Sequence, residues 1–413
     1  MATVCPLTLD ILRSAWTADV PSPPHDALTP DERRRHLSRF PMSYLGVTRA
    51  PEDVGDDTTL TGMDLLKTGR QSLDRLVEAD VFEPATAAGY FVYRLSSNGH
   101  TQTGVVCGVA VDDYDNGNVR IHEQIKPDRA RHLANHLQVV GAQSSPIALA
   151  HRDSVTLQET LQRVVAADPK LDFVSRDKLR QQVWAVEDPA VRDRLEQHLG
   201  TGPLYIIDGH HRAAAAAWHR HDKSAGRSRR PGDDWMLAVI FPGNEMRNKA
   251  FHRVLDAEAT SILRDRLSSW FPCREASIEQ VVARRPGELA AGLAADDGHL
   301  DWLIIEIPED PTGNPTVVDR LEPSRLADAI LGPLLGLDES NPRGHLRYLP
   351  GTDDAAALSA VEISPGEAVF VMSPVSLDDL FAASDEGLVM PPKSTYFEPK
   401  VRSGLFVHFK DRI

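Results

Sequence analysis

Two short stretches carry the side chains best suited to chemistry. The first is LYIIDGHHRAAAAAWHRH, Leu204 to His221, where an apolar run meets an acid, a glycine, two imidazoles and a guanidinium, followed by five alanines. The apolar run reads as a strand and the alanines as a helix, so the polar residues occupy the hinge between them. The first backbone N–H groups of a helix have no intrahelical partner and carry partial positive charge. A strand–glycine–helix junction therefore offers a cradle for an anion such as phosphate. Gly209 lets the backbone approach closely, and Arg212 can add a bidentate guanidinium contact. His210 and His211 add donors whose charge changes near neutral pH. Asp208 would repel phosphate and makes better sense as a partner for Arg212, a histidine or a magnesium ion. The same residues also suit a plain junction in which Asp208 caps the helix and the histidines face solvent.

The second stretch is VRIHEQIKPDRARHL, Val119 to Leu133. His122 and Glu123 stand where a strand ends, just ahead of a basic helix start. A glutamate beside a phosphate cradle can take the proton of a hydroxyl as general base; the alternative is an ordinary solvated helix entry. The pair opens like the zinc-protease pattern HExxH, but Lys126 occupies the place of the second histidine, which excludes that chemistry. Three further segments hold candidate binding groups. PPKSTYFEPK, Pro391 to Lys400, carries Lys393, Ser394, Thr395 and Tyr396 between prolines and Lys400 just after the last of them. Such a loop could close on a nucleotide base, a phosphate or a carboxylate, or simply dock a chain end on the core. NKAFHRVL carries His252 and Arg253, and PMSYLGVTR carries Ser43, Tyr44 and Arg49. Arg49 is a candidate for a substrate carboxylate, which needs a fixed cation.

The elements that must position these groups can be read from apolar periodicity. Strand patterns occur in GYFVYRLS, TGVVCGVAVDDY, PIALAHRD, QQVWAVED, PLYIID, WMLAVIF, DWLIIEI, AVFVMSP and GLFVHF. Thr29 and Pro30 form a helix start, as N-cap and first helical residue, and apolar spacing predicts a helix from Met63 to Ala79. Helices intervene irregularly, which predicts an α+β chain with a mixed sheet rather than a regular βαβ alternation. Around Arg264–Asp301 the alanine-rich pattern reads as helical and suggests a junction between lobes.

The chain has 413 residues, long enough for two or three lobes. Its formal net charge of −15 argues against a nucleic-acid surface, and no apolar run approaches the roughly 20 residues of a membrane helix. The start, MATVCPLTLD, lacks a secretory pattern. Cys5, Cys107 and Cys273 are widely spaced and read as reduced thiols, so the expected address is the cytoplasm. No GxxxxGK phosphate loop, GxGxxG turn or GxSxG elbow is present.

Taken together, IHEQ and IIDGHHRAAA resemble the archaeal free serine kinase, of the partition-protein-B-like and sulfiredoxin-like superfamily. This chain carries an insertion between the motifs, roughly 143–200. The full length resembles the family called domain of unknown function 1015, through SPPHDAL, PMSYLGVTR, DDYDNGNVRIHE, DGHHR, FHRVL and VMPPKSTYFEPKVRSGLFVH. His25 stands where that family usually has tyrosine, and Ile121 replaces a proline before the HE pair. The resemblance implies a partition-protein-B/sulfiredoxin-like nucleotide-binding core over 111–260, flanked by regions 1–110 and 261–413. It also implies that Glu123 is the catalytic base, with His122 and Asp208 beside it, and that Gly209–Arg212 hold the phosphates of ATP or ADP with Mg2+. Lys393, Ser394 and Thr395 are expected to add nucleotide contacts. Ser43, Arg49, His252, Arg253 and Tyr396 are expected to face the substrate, a free hydroxy amino acid, serine first. Sulfiredoxin chemistry requires a cysteine within the phosphate motif, and none is there. DNA partition requires a basic face, which the net charge opposes. Small-molecule kinase chemistry needs only a cradle, a metal and a base near a hydroxyl. The alternative is a nucleotide-binding regulatory switch without turnover.

Overall fold

Apolar runs bounded by polar turns become the central strands of two sheets in the computed structural model of the chain. The structure describes all residues except 26–27, 49–61, 153–154, 223–228, 298, 309–314, 340–343, 352–357, 359–361 and 413. The chain divides into two discontinuous units. The first comprises Met1–Arg120, Ile125–Met246 and Pro399–Ile413, and the second Ile121–Gln124 and Arg247–Glu398. Strands and helices of both units make the chain α+β.

The first unit is built on a nine-stranded mixed sheet. Its strands are β1 (Val4–Cys5), β2 (Phe91–Ser97), β3 (His100–Ala110), β4 (Val119–Arg120), β5 (Ile147–His151), β6 (Leu171–Val174), β7 (Arg180–Ala185), β8 (Leu204–Asp208) and β9 (Trp235–Pro242). They lie in the order β4-β8-β5-β9-β3-β2-β7-β6, with β1 beside β3. The pairs β4–β8 and β5–β9 are parallel, whereas β8–β5 and β9–β3 are antiparallel. The central strand β9 is buried from its second residue onward, which is why its sequence shows a continuous apolar run instead of alternation. Four short strands form a second sheet in the order Phe82–Glu83, Asp10–Leu12, Phe406–Phe409, Ala142–Gln143.

Helices α1 (Pro30–Arg39), α2 (Gly62–Glu78), α3 (Pro127–Val140) and α4 (His210–His221) belong to this unit. Thr29 caps α1 in a full capping box with Glu32, and Pro30 takes the first helical position, as the sequence indicates. The helix expected from Met63 is α2. In α4 the alanines 213–217 are all buried, and their small side chains let the helix pack tightly. The Arg131 guanidinium of α3 lies 5.7 Å from the centre of the Trp218 ring of α4.

The second unit contains a six-stranded antiparallel sheet. Its strands are β10 (Phe251–Leu255), β11 (Cys273–Glu275), β12 (Glu288–Ala294), β13 (Leu300–Glu306), β14 (Leu346–Pro350) and β15 (Ala368–Val371), in the order β11-β13-β12-β15-β10-β14. Helix α5 (Ala257–Trp270) contributes Ala259, Leu263 and Leu267 to a core shared with Leu289, Ala291 and Phe370. The alanine-rich stretch around Arg264–Asp301 is therefore not mainly helical. ELAAGLA is β12, buried along its whole length between β13 and β15. Its small residues answer to packing: a Cβ on Gly292 would lie 2.7 Å from the Trp302 ring. Among the described residues no helix is long and apolar enough to cross a membrane.

Candidate functional site

In the first unit, β8 delivers Asp208 to the hinge and the chain turns at Gly209 with φ +101°. That backbone conformation suits glycine alone. Gly209 is the N-cap of α4 and has no side chain to cap it, so Asp208 is not the cap. Instead the Asp208 carboxylate accepts from two cations. Arg212, one turn into α4, donates to Oδ2, and Lys400 donates to Oδ1 at 2.5 Å. Arg212 also donates to the Pro146 carbonyl at 2.5 Å. A Cβ on Gly209 would meet the Arg212 guanidinium at 2.9–3.0 Å, so the side chain folds directly over the hinge. Burial favours the neutral acid at Asp208, but the charges of Lys400 and Arg212 prevail and hold its carboxyl well below the usual range. His210 is buried. His211 Nε2 accepts from the backbone amide of Lys126 at 3.1 Å, which requires a lone pair on that nitrogen and hence a neutral ring.

Lys400 joins this hinge through a pairing with Asp208 that the sequence does not show. The sequence shows it as one donor among several in a proline-rich segment. Only folding pairs it with a carboxylate 192 positions earlier. Arg152 is another such residue: its Nε donates to the Tyr205 hydroxyl at 3.1 Å. No spacing rule links Arg152 to β8. Ser43, also in the first unit, is buried and bonds through Oγ to His36 Nε2 at 3.0 Å. Arg49 lies outside the described residues.

In the second unit three sequence motifs meet. The His122 carbonyl accepts from the Met390 amide at 2.9 Å, and His122 Nε2 bonds the Thr395 hydroxyl at 3.1 Å. The HE segment is thereby fastened at both ends of the PPKST turn, with Glu123 half-buried beside it. Lys393 has φ +57°, a left-handed conformation uncommon for a residue with a Cβ. Its ammonium lies 5.0 Å from the centre of the Phe251 ring, which in turn meets Tyr396 edge-on at 5.0 Å. Ser394 is buried and donates to the Pro391 carbonyl. Arg253 is fully buried, donating to the carbonyls of Pro392 and Lys393 and to Glu339 Oε1. His252 is equally buried, with Nδ1 accepting from the Met372 amide.

Fold and site define an α+β protein with a cation-rich strand–glycine–helix hinge. The chain belongs to the family described as "Protein of unknown function (DUF1015)", which matches residues 9–323. No curated protein matches it. Among solved structures it is similar to SbnI with C-terminal truncation from Staphylococcus aureus, at 12% identity and a TM-score of 0.38, covering 73% of this chain and 85% of that one. It is similar to a free serine kinase in complex with AMP at 14% identity and a TM-score of 0.36, covering 71% and 86%. A conserved hypothetical protein from Pyrococcus furiosus is similar at 16% identity and a TM-score of 0.35, covering 71% and 90%.

Proposed function

We propose that this protein is a small-molecule kinase that transfers a phosphoryl group from ATP or ADP to the hydroxyl of a free amino acid, serine being the first choice. The observation that carries the reading is the charge at the hinge. Two cations, Arg212 and Lys400, converge on the one carboxylate of Asp208 at the start of α4. An anion there meets helix amides, a guanidinium and an ammonium together. Asp208 keeps both cations in place before the anion arrives. The motifs HEQ and DGHHR, in this order, support a phosphoryl transfer in particular.

In this reaction the serine oxygen forms a bond to phosphorus, the bond from phosphorus to the bridging oxygen breaks, and the hydroxyl proton passes to Glu123. Arg212 and Lys400 stabilise charge on the transferring group and on the leaving phosphate. Magnesium is expected to accompany the nucleotide. Both oxygens of Asp208 are engaged by cations, and among the described residues no three His, Cys, Asp or Glu side chains gather as a metal site.

The test combines calorimetry with mass spectrometry of products from ATP or ADP and free hydroxy amino acids. Arg212→Ala is expected to weaken nucleotide binding by roughly 1.5–3 kcal/mol, the scale of a charge-assisted hydrogen bond. Glu123→Gln should bind nucleotide normally while turnover falls by on the order of 10²–10⁴-fold. Normal turnover in Glu123→Gln removes the base. Tight nucleotide binding by wild type with no phosphorylated product would replace the kinase by a regulatory switch.

A further inference from the structure

We propose that Arg253, with Glu339 as its counter-ion, is the positioning residue that holds the Lys393–Thr395 turn and, through Thr395, sets the orientation of His122 and the adjacent Glu123. The geometry is that of a clamp built from β10 outward. Arg253 is fully buried, and its guanidinium spends separate N–H groups on four oxygens. Nε donates to Glu339 Oε1 at 2.9 Å, Nη2 to the Pro392 carbonyl at 2.9 Å, and Nη1 to the carbonyls of Phe251 and Lys393 at 2.8 and 3.2 Å. Only a planar fork of five donors can reach a carboxylate and consecutive carbonyls at once. Tyr348 closes the pair from β14, its hydroxyl 3.4 Å from Glu339 Oε1.

The held turn is one the chain would not adopt freely. Lys393 is left-handed at φ +57° without being glycine, and such strain persists only where surrounding contacts determine it. Arg253 supplies those contacts at the strained residue and the one before it. Two residues on, the Thr395 hydroxyl bonds His122, and at the other end of the turn the Met390 amide bonds the His122 carbonyl. A displacement of the turn therefore moves both bonds that orient His122, and Glu123 is the next residue in the chain. Arg253 itself is enclosed, so it acts on the reaction through the turn.

The consequence for turnover rests on the kinase reading, but the clamp can be tested apart from it. Hydrogen exchange is measured on wild type and on the double variant Arg253→Met/Glu339→Leu, which removes both buried charges together, avoiding a lone one. Arg253→Lys, which keeps the charge but not the fork, serves as the second variant. In whichever variant retains a cooperative melt, exchange at the Met390 and Tyr396 amides is expected to rise at least tenfold. Turnover should fall about 30-fold while the nucleotide KM changes less than threefold. Thr395→Val should reproduce the fall in turnover without the change at Tyr396. Unchanged exchange at Met390 and Tyr396 in a folded variant overturns the clamp. Raised exchange with wild-type turnover overturns its positioning role. If wild type makes no product the kinase reading fails, while the exchange result still decides whether Arg253 holds the turn.

Discussion

At the scale of the residue, Gly209 and Asp208 show how a motif of ordinary side chains acquires unusual constraints. A Cβ at position 209 would face both a backbone φ of +101° and an arginine head 2.9 Å away. The arginine can swing aside; the backbone cannot. Gly209→Ala is therefore expected to cost about 1–3 kcal/mol, read as a shift in the urea midpoint at unchanged slope, and an unshifted midpoint would contradict the strain. Asp208 contributes a pH dependence of known sign. Its carboxyl is depressed in the folded state, so the unfolded chain binds the proton more readily. The contribution is fully present above the ordinary carboxylate pKa of about 3.9 and is lost as pH falls from there through the depressed value. Acid unfolding of wild type should thus steepen below about pH 4. Asp208→Asn should be less stable at neutral pH yet lose part of that acid slope. Parallel acid titrations of the two proteins would sink the assignment.

At the scale of the element, packing decides what periodicity leaves open. Each of the nine strand patterns read from the sequence contains a strand, because each runs through a sheet interior or edge where apolar residues are covered, although the VDDY that ends TGVVCGVAVDDY belongs to the short helix Val111–Asp115. ELAAGLA misleads because alanine and leucine are strong helix formers, whereas its position between β13 and β15 rewards small side chains under Trp302. Gly292→Ala should lower stability by about 1–3 kcal/mol through overpacking against that ring. Gly202→Ala, with nothing within 4 Å of the added methyl, is the control and should stay near wild type. Equal melting temperatures for the two variants would show that Trp302 yields without cost. The capping box of α1 is the opposite case: its signal lies within four consecutive residues, so it is legible without any fold.

At the scale of the whole molecule, the chain's last 15 residues return to the unit that contains its first. Leu405, Phe406 and Val407 are fully buried, and their strand is hydrogen-bonded between Asp10–Leu12 and Ala142–Gln143. Burying three such side chains contributes roughly 5–9 kcal/mol, comparable with the whole stability of a domain. Deleting Pro399–Ile413 is therefore expected to abolish the cooperative thermal transition of the first unit and to remove Lys400 from Asp208. A truncated chain that melts as wild type does would refute this.

The sequence by itself determined the α+β class, nine of the strands, the starts of α1, α2 and α4 and the identity of the hinge, since all of these follow from short-range periods and spacings. It could not determine that Lys400 joins Asp208, that Glu339 holds Arg253, or that Thr395 bonds His122. Those pairs are 86–273 residues apart, and no local propensity links such positions. Only the tertiary structure decided them, because closing so long a loop costs entropy that is repaid by the burial of the intervening sheets and never by the pair alone.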